Sequence, residues 1–114
     1  MPGDFLVFQL EAGFALLRLL AIDEADGEKK WHIAAYSDLF PDVETAETAC
    51  ANPERLTLSN SHVALTNRAF ESTQVARIMN TPLTAAEIEP LTVWRNDQNR
   101  KIADRSVRLM LGLR

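Results

Sequence analysis

The fold is decided by the stretch DFLVFQLEAGFALLRLLAIDEADG, residues 4–27. It contains two short apolar runs, 4–10 and 14–22, which are rich in Phe, Val and Leu. Between them lies Glu11-Ala12-Gly13, and a three-residue loop that ends in glycine is a common hairpin connection. The second run is followed by Asp26-Gly27, a pair typical of type I′ turns. The stretch therefore predicts a β-meander with a third strand over 31–35. A buried helix over 14–22 is the alternative, since leucine-rich runs fit both structures.

Both faces of this predicted sheet are apolar. Alternate residues of a strand share a face, so Leu16, Arg18 and Leu20 lie on one face of the second strand, and Leu17 and Leu19 lie on the other. A sheet with one solvated face would alternate apolar and polar residues. We therefore expect the second face to be covered by barrel closure, by a helix of the same chain or by a partner.

The middle of the chain predicts an irregular acidic segment over 36–55, bounded by Pro41 and Pro53. Within it, Thr, Ala and Glu favour a short helix at about Val43–Cys50. The alternation in 56–58 and 62–66 predicts a fourth strand, and 74–79 is a candidate fifth strand.

The last third of the chain predicts further short elements. Thr84 and Glu87 match a capping box, which predicts a helix from Ala85 to about Glu89 that Pro90 ends. The run 91–94 predicts a strand, and 98–113 predicts an amphipathic helix. A strand over 107–113 is the alternative for that last segment.

Length and composition restrict the class of protein. The 114 residues, 46 % apolar, predict one domain over 1–114. We expect a mainly β (α+β) fold of about five strands, as a strongly curved sheet or an SH3-like barrel with a C-terminal amphipathic helix. A single cysteine excludes an internal disulfide. No apolar run approaches the length of about 20 residues that a membrane-spanning helix needs, and the start lacks the basic region of a signal peptide. These features predict a cytoplasmic protein that does not bind membranes.

Residues with catalytic or metal-binding chemistry are few and scattered. His32 and His62 have no motif spacing with each other or with Cys50, so no zinc site is predicted. Ser61 and His62 are neighbours in a predicted strand, where successive side chains point to opposite faces. Ser61 is therefore not expected to be a nucleophile that His62 activates. The glycines form no phosphate-binding loop, and the acidic surroundings of Cys50 predict an inert thiol with a raised pKa. We expect no catalytic residues, no metal and no cofactor.

The net charge of −4 conceals an acidic body and a basic end. Residues 95–114 hold six basic and two acidic side chains, whereas 1–94 hold six basic and fourteen acidic ones. Acidic residues with apolar anchors are typical of a surface that binds a basic protein. The predicted partner-binding residues are Tyr36, Asp38, Phe40, Asp42, Glu44 and Glu47, and Leu39 is expected to be a further apolar anchor. The alternative is a nucleic-acid surface, with Arg18, Arg95, Arg100 and Lys101 as its candidate residues.

Arg18 interrupts an otherwise apolar run. An arginine at a core position must be paired or must reach the solvent. We therefore expect either a strand-centre arginine that pairs with an acid or reaches solvent along its stem, or an anchor for an anionic ligand or partner.

The N-terminal pattern Gly3-Asp4-Phe5-x-x-Phe8-x-Leu10-x-x-Gly13-Phe14 resembles two groups of small β proteins. One is the Imm26-like family of immunity proteins from bacterial polymorphic toxin systems. The other is the MazF/PemK type of toxin endoribonuclease, an SH3-like barrel whose members carry an Arg-Pro pair after the first loop. Here Arg18 is followed by Leu19, so that pair is missing. The resemblance to the immunity proteins implies a non-catalytic protein that blocks a toxin, and it assigns no site residue.

The sequence thus predicts a protein-binding module, an immunity protein that blocks a basic toxin through the acidic segment. An RNA-binding or endoribonuclease-like barrel is the alternative function. A homodimer whose second copy covers the second apolar face is a third hypothesis. The net charge makes nucleic acid the less expected partner.

Overall fold

Five antiparallel strands form one sheet in a computed structural model that describes residues 1–72 and 74–104. The strands are β1 (Asp4–Leu10), β2 (Gly13–Ala25), β3 (Glu28–Phe40), β4 (Leu58–Thr66) and β5 (Ala76–Asn80), in the spatial order β4-β3-β2-β1-β5. The helices are α1 (Val43–Cys50), α2 (Asn67–Glu71) and α3 (Ala85–Asn96), with one 3-10 turn at Pro53–Arg55. The expectation of a mainly β fold is confirmed.

The two tight connections of the meander lie where the sequence placed them. Leu10 pairs with Gly13 across the first turn, and Ala25 pairs with Glu28 across the second. Asp26 and Gly27 both have positive φ, 54° and 78°, as a type I′ turn requires. The strand prediction for 14–22 is therefore confirmed over the helical alternative.

The third strand is much longer than 31–35. It begins at Glu28, where oppositely charged side chains such as Glu24 and Lys29 face each other across the hairpin. It also continues to Phe40, which pairs with Phe14. The predicted irregular segment consequently begins only after Phe40.

The sheet is open, so the expected closure into an SH3-like barrel is not confirmed. In the described residues β4 and β5 form the two edges and do not pair with each other. Register shifts interrupt β1, β2 and β3, and each bulge adds bend and twist to its strand. On the outer side of β4, Ala103 forms a short parallel bridge with Leu65, which satisfies part of that edge.

Both faces of the sheet are buried, and helices of the same chain contribute to both. On one face Cys50 of α1 and Leu91 of α3 join the apolar side chains of the strands. On the other face α2 contributes Phe70, whose ring stacks on Trp31 with the centroids 4.0 Å apart. The second apolar face is thus covered in part by α2, which the sequence did not predict.

Helix α1 and the two shorter strands largely confirm the sequence interpretation. Asp42 caps α1, whose bounds are those predicted. Strand β4 is one continuous strand rather than two short runs, and β5 begins two residues later than expected.

The prediction that Pro90 ends a helix at about Glu89 is wrong, and so is the strand over 91–94. Helix α3 continues through Pro90 to Asn96. Proline removes one hydrogen bond within the helix, but the continued helix buries Leu91 against Leu20 and Ala34. That burial offsets the lost hydrogen bond.

The predicted C-terminal helix does not begin at Gln98. Asp97 ends α3, residues 98–104 are not helical, and Ala103 bridges to β4. The amide of Ala103 donates to the carbonyl of Ala64, and its carbonyl accepts from the amide of Thr66. These two groups therefore bond to β4 and not within a helix. The rest of the predicted helix and the alternative strand over 107–113 lie outside the described residues.

Candidate functional site

Four exposed carboxylates follow one another from the end of β3 to the 3-10 turn. We call them the acidic surface: Asp42, Glu44, Glu47 and Glu54. Asp42 accepts hydrogen bonds from the amide and hydroxyl of Thr45, both at 2.7 Å. These hydrogen bonds lower the pKa of Asp42, so its carboxylate is ionised at neutral pH. The capping contact fixes this charge at the start of α1.

No salt bridge within the described ranges neutralises any carboxylate of the acidic surface. Several acidic side chains elsewhere form salt bridges. Asp4 contacts the N-terminal ammonium, Asp23 contacts Arg95, and Asp104 contacts Arg68. The acidic surface therefore carries negative charge that the described residues do not compensate.

Three of the predicted partner-binding residues lie deeper than this surface. Tyr36 is buried, with its ring centroid 6.2 Å from that of Phe5, and burial raises its pKa. Phe40 is half-buried against the same core, and Asp38 accepts a 2.6 Å hydrogen bond from the amide of Thr57. The structure thus brings Asp42, Glu44 and Glu47 to the surface and turns the two aromatic rings inward.

Apolar side chains are exposed near the acidic surface: Leu39, which the sequence predicted as an anchor, and Val43 and Leu58, which it did not. Leu39, Val43 and Leu58 are 47 %, 36 % and 52 % exposed. No sequence signal distinguished Leu58, at the start of β4, or Val43, at the start of α1, from core residues.

Arg18 is the largest fully buried side chain, with 1 % of its surface exposed. Its Nε donates to the carbonyl of Gly3 at 3.1 Å, and its Nη2 donates to the carbonyl of Thr81 at 2.7 Å. Its guanidinium lies 4.1 Å above the ring of Phe5, a cation–π arrangement. Nη1 lies 3.0 Å from a Glu87 oxygen. The contact with Glu87 fits the expectation that Arg18 pairs with an acid, and the contacts with the two carbonyls and with Phe5 are additional to it.

The contact between Arg18 and Glu87 is an ion pair and not an aligned hydrogen bond. The two atoms are close, yet Nη1 has no hydrogen-bond acceptor with acceptable geometry in the described part of the chain. The other Glu87 oxygen accepts from the amide of Thr84 in the capping box. Glu87 therefore accepts a hydrogen bond in the cap of α3 with one oxygen and pairs with the buried Arg18 charge through the other.

The four residues of the alternative nucleic-acid surface are not presented together. Arg18 is buried, whereas the other three are exposed. Arg95 donates to Asp23 at 2.7 Å. Arg100 lies over the Trp94 ring, 5.4 Å from its centroid, and donates to the carbonyl of Arg95. Of these four side chains, only that of Lys101 makes no hydrogen bond, salt bridge or ring contact in the described residues.

The structure brings together two histidines that sequence spacing kept apart. His32 Nε2 lies 2.9 Å from Asp23 Oδ2, and His32 Nδ1 lies 2.9 Å from His62 Nε2. Trp94 packs against both rings. Three neighbouring strands supply this row, so only the pairing register of β2, β3 and β4 could have revealed it.

The charge of Asp23 sets the protonation of this row. Burial alone would raise the pKa of Asp23, but the hydrogen bond with His32 and the charge of Arg95 outweigh burial and lower it. An ionised Asp23 only accepts, so His32 donates from Nε2, and its Nδ1 accepts from His62. Burial, reinforced by the neighbouring His32 and the charge of Arg95, lowers the pKa of His62 to about 4, so His62 is neutral and a weak base at pH 7.

Among the residues the structure describes, no group of three or more His, Cys, Asp and Glu side chains could hold a metal ion. In the same part of the chain, no helix is both long and apolar enough to cross a membrane. Comparison of the chain with protein-family models, with curated proteins and with solved structures finds no match. The candidate site is therefore assigned from chemistry alone.

Proposed function

We propose that this chain is a non-catalytic protein-binding module that recognises a basic partner through the acidic surface. One observation carries the proposal: these four carboxylates are exposed, have no salt bridge in the described residues, and lie within 42–54 with no basic residue between them. Exposed charge of one sign steers an oppositely charged partner and raises its association rate.

The exposed apolar side chains beside the acidic surface supply the short-range part of this binding. Val43 begins α1 next to the Asp42 cap, and Leu39 precedes it at the end of β3. Apolar anchors with a charged rim are typical of protein interfaces. The biological role that we propose is that of an immunity protein whose partner is a basic toxin domain.

The experiment compares the wild-type chain with a variant that keeps the helix and loses its charge. Asp42→Asn, Glu44→Gln and Glu47→Gln remove three charges, and asparagine still caps a helix. Both proteins are immobilised and used to capture partners from the producing cells at low salt. We expect a protein of basic isoelectric point that the wild type retains and the variant loses.

The matched control removes three exposed carboxylates elsewhere, by Glu11→Gln, Glu24→Gln and Glu28→Gln. This control should retain the same protein as the wild type. Equal retention by both variants would contradict the proposal. Salt-sensitive retention of RNA that is lost in the Arg100→Ala, Lys101→Ala variant would instead support the nucleic-acid alternative.

A further inference from the structure

A cavity of about 320 Å³ lies between α3 and strands β2, β3 and β4. Its volume is at the lower end of the range of small-molecule sites. It is separate from the row of histidines and does not include the α1 carboxylates Asp42, Glu44 and Glu47. It shares Glu54 and the exposed Leu58 with the region of the acidic surface.

The walls of the cavity are mainly apolar. The sheet contributes Leu20 and Ala34. Leu56 follows the 3-10 turn, Leu58 begins β4, and Pro90 belongs to α3. Such walls favour an occupant with an apolar body, because the occupant displaces water from apolar surface.

One end of the cavity holds a buried donor without an acceptor. Arg18 uses Nε and Nη2 on backbone carbonyls, but Nη1 makes no hydrogen bond in the described part of the chain. Nη1 is turned toward Glu87, which is also part of the cavity wall. A buried donor that lacks an acceptor is costly, so an acceptor supplied by an occupant would be favourable here.

Further donors lie at the same end. Ala86 belongs to the first turn of α3, whose amides at Ala85 and Ala86 have no acceptor in the described residues. Tyr36 also lines the cavity, and burial keeps its hydroxyl protonated by raising its pKa, although the neighbouring Arg18 acts in the opposite direction. The polar groups at this end of the wall are hydrogen-bond donors, so they favour an occupant that carries a hydrogen-bond acceptor.

The charges around the cavity favour an uncharged occupant. Arg18 and Glu87 compensate each other, and Glu54 adds one negative charge at the wall. An anion would meet both carboxylates. A cation would meet the buried guanidinium, and the exposed Glu54, whose charge the solvent screens, would compensate it only weakly. Burial of a charge that lacks a free counterion is unfavourable.

We propose that this cavity binds a small uncharged molecule that carries a carbonyl-type acceptor on an apolar body. The carbonyl oxygen takes the place beside Nη1 that Glu87 Oε2 fills poorly, and the apolar body contacts Leu20, Leu56 and Leu58. Glu87 remains held at the helix cap through its other oxygen.

The test uses three probes of one shape and three charges: benzamide, benzoate and benzamidine. Binding is followed by protein NMR on the full chain, with the Arg18 Nε–H as reporter, since it is buried and hydrogen-bonded to Gly3. The Trp31 Nε1–H, bonded to Asn67, is the remote control. We expect benzamide to shift the Arg18 signal and to bind at least about tenfold more tightly than the two charged probes.

Two variants of α3 check the location. Ala86→Leu fills the cavity from an exposed helix position and should weaken benzamide at least about tenfold. Thr92→Leu adds a leucine on the same helix at an exposed position outside the cavity, and it should leave the affinity unchanged. Neither substitution touches the hydrogen bonds of Arg18, so both variants should fold.

A third variant checks the charge argument. Glu87→Gln keeps the capping box and removes one carboxylate, so benzoate should bind at least about tenfold more tightly than to the wild type. The proposal is overturned if benzamide leaves the Arg18 signal unmoved, if a charged probe binds the wild type as tightly, if Ala86→Leu has no effect, or if benzoate gains nothing in Glu87→Gln.

Discussion

His32 Nδ1 and His62 Nε2 lie 2.9 Å apart, and the opposite nitrogen of His32 lies 2.9 Å from the carboxylate of Asp23. The carboxylate fixes the donor direction along this row, since each neutral imidazole has one donor and one acceptor. Both histidines are therefore neutral in the folded protein, and burial lowers the pKa of each.

Stability should fall as the pH is lowered through the range in which an unfolded histidine gains its proton. The unfolded pKa is about 6.5, and that of His62 in the fold is about 4. The unfolded state thus binds more protons between these values, and the free energy of unfolding should drop by about 2 to 3 kcal/mol from pH 7 to pH 4. Urea denaturation at several pH values measures this. His62→Gln should show a flatter profile, and an unchanged slope would argue against the assignment.

Replacing Arg18 should destabilise the fold strongly. Arg18→Met would leave the carbonyls of Gly3 and Thr81 without their donor and Glu87 without its counterion. Removing one member of a buried ion pair costs about 3 to 5 kcal/mol. The urea midpoint reports the loss. A change below about 1 kcal/mol would show that the guanidinium does not hold these segments together.

Two glycines should differ in their tolerance of alanine. At Gly13, φ is +146° and an added Cβ would lie 2.7 Å from the Phe40 carbonyl oxygen. At Gly27, φ is +78° but no atom lies within 4 Å of an added Cβ. Gly27→Ala should cost about 1 kcal/mol of backbone strain, and Gly13→Ala about 3 kcal/mol. Thermal unfolding of the two variants compares them, and equal losses would contradict the close approach at Phe40.

The Cys50 thiol should be unreactive in the folded protein. It is completely buried, and burial raises its pKa to about 11, so little thiolate exists at pH 8. A disulfide reagent at pH 8 should modify it no faster than the chain unfolds, and fully in urea. Rapid modification without denaturant would show that α1 opens readily.

Local signals in the sequence were enough for the hairpins and for α1. Turn pairs such as Asp26-Gly27 and caps such as Asp42 act through neighbouring residues, so their effect can be read from a few positions. The continuation of α3 past Pro90 depends on the burial of Leu91 against the sheet. That is a tertiary contact which local rules do not contain.

The candidate site was predictable to a lesser extent. The charge of Asp42, Glu44 and Glu47 is visible in the sequence, and their exposure follows from the helix. The burial of Tyr36 follows from the extension of β3 to Phe40. The sequence predicts a third strand that ends at Ala35, so it does not reveal this burial. The row Asp23–His32–His62 depends on the register of three strands.

The rate at which the captured partner associates tests the account most directly. Stopped-flow mixing is run over a series of salt concentrations with the wild type, the Asp42→Asn, Glu44→Gln, Glu47→Gln variant and the control altered at Glu11, Glu24 and Glu28. We expect the association rate to fall about tenfold in the first variant, with a flatter salt dependence, and to be nearly unchanged in the control. An association rate and salt dependence equal to those of the wild type would contradict the proposed surface.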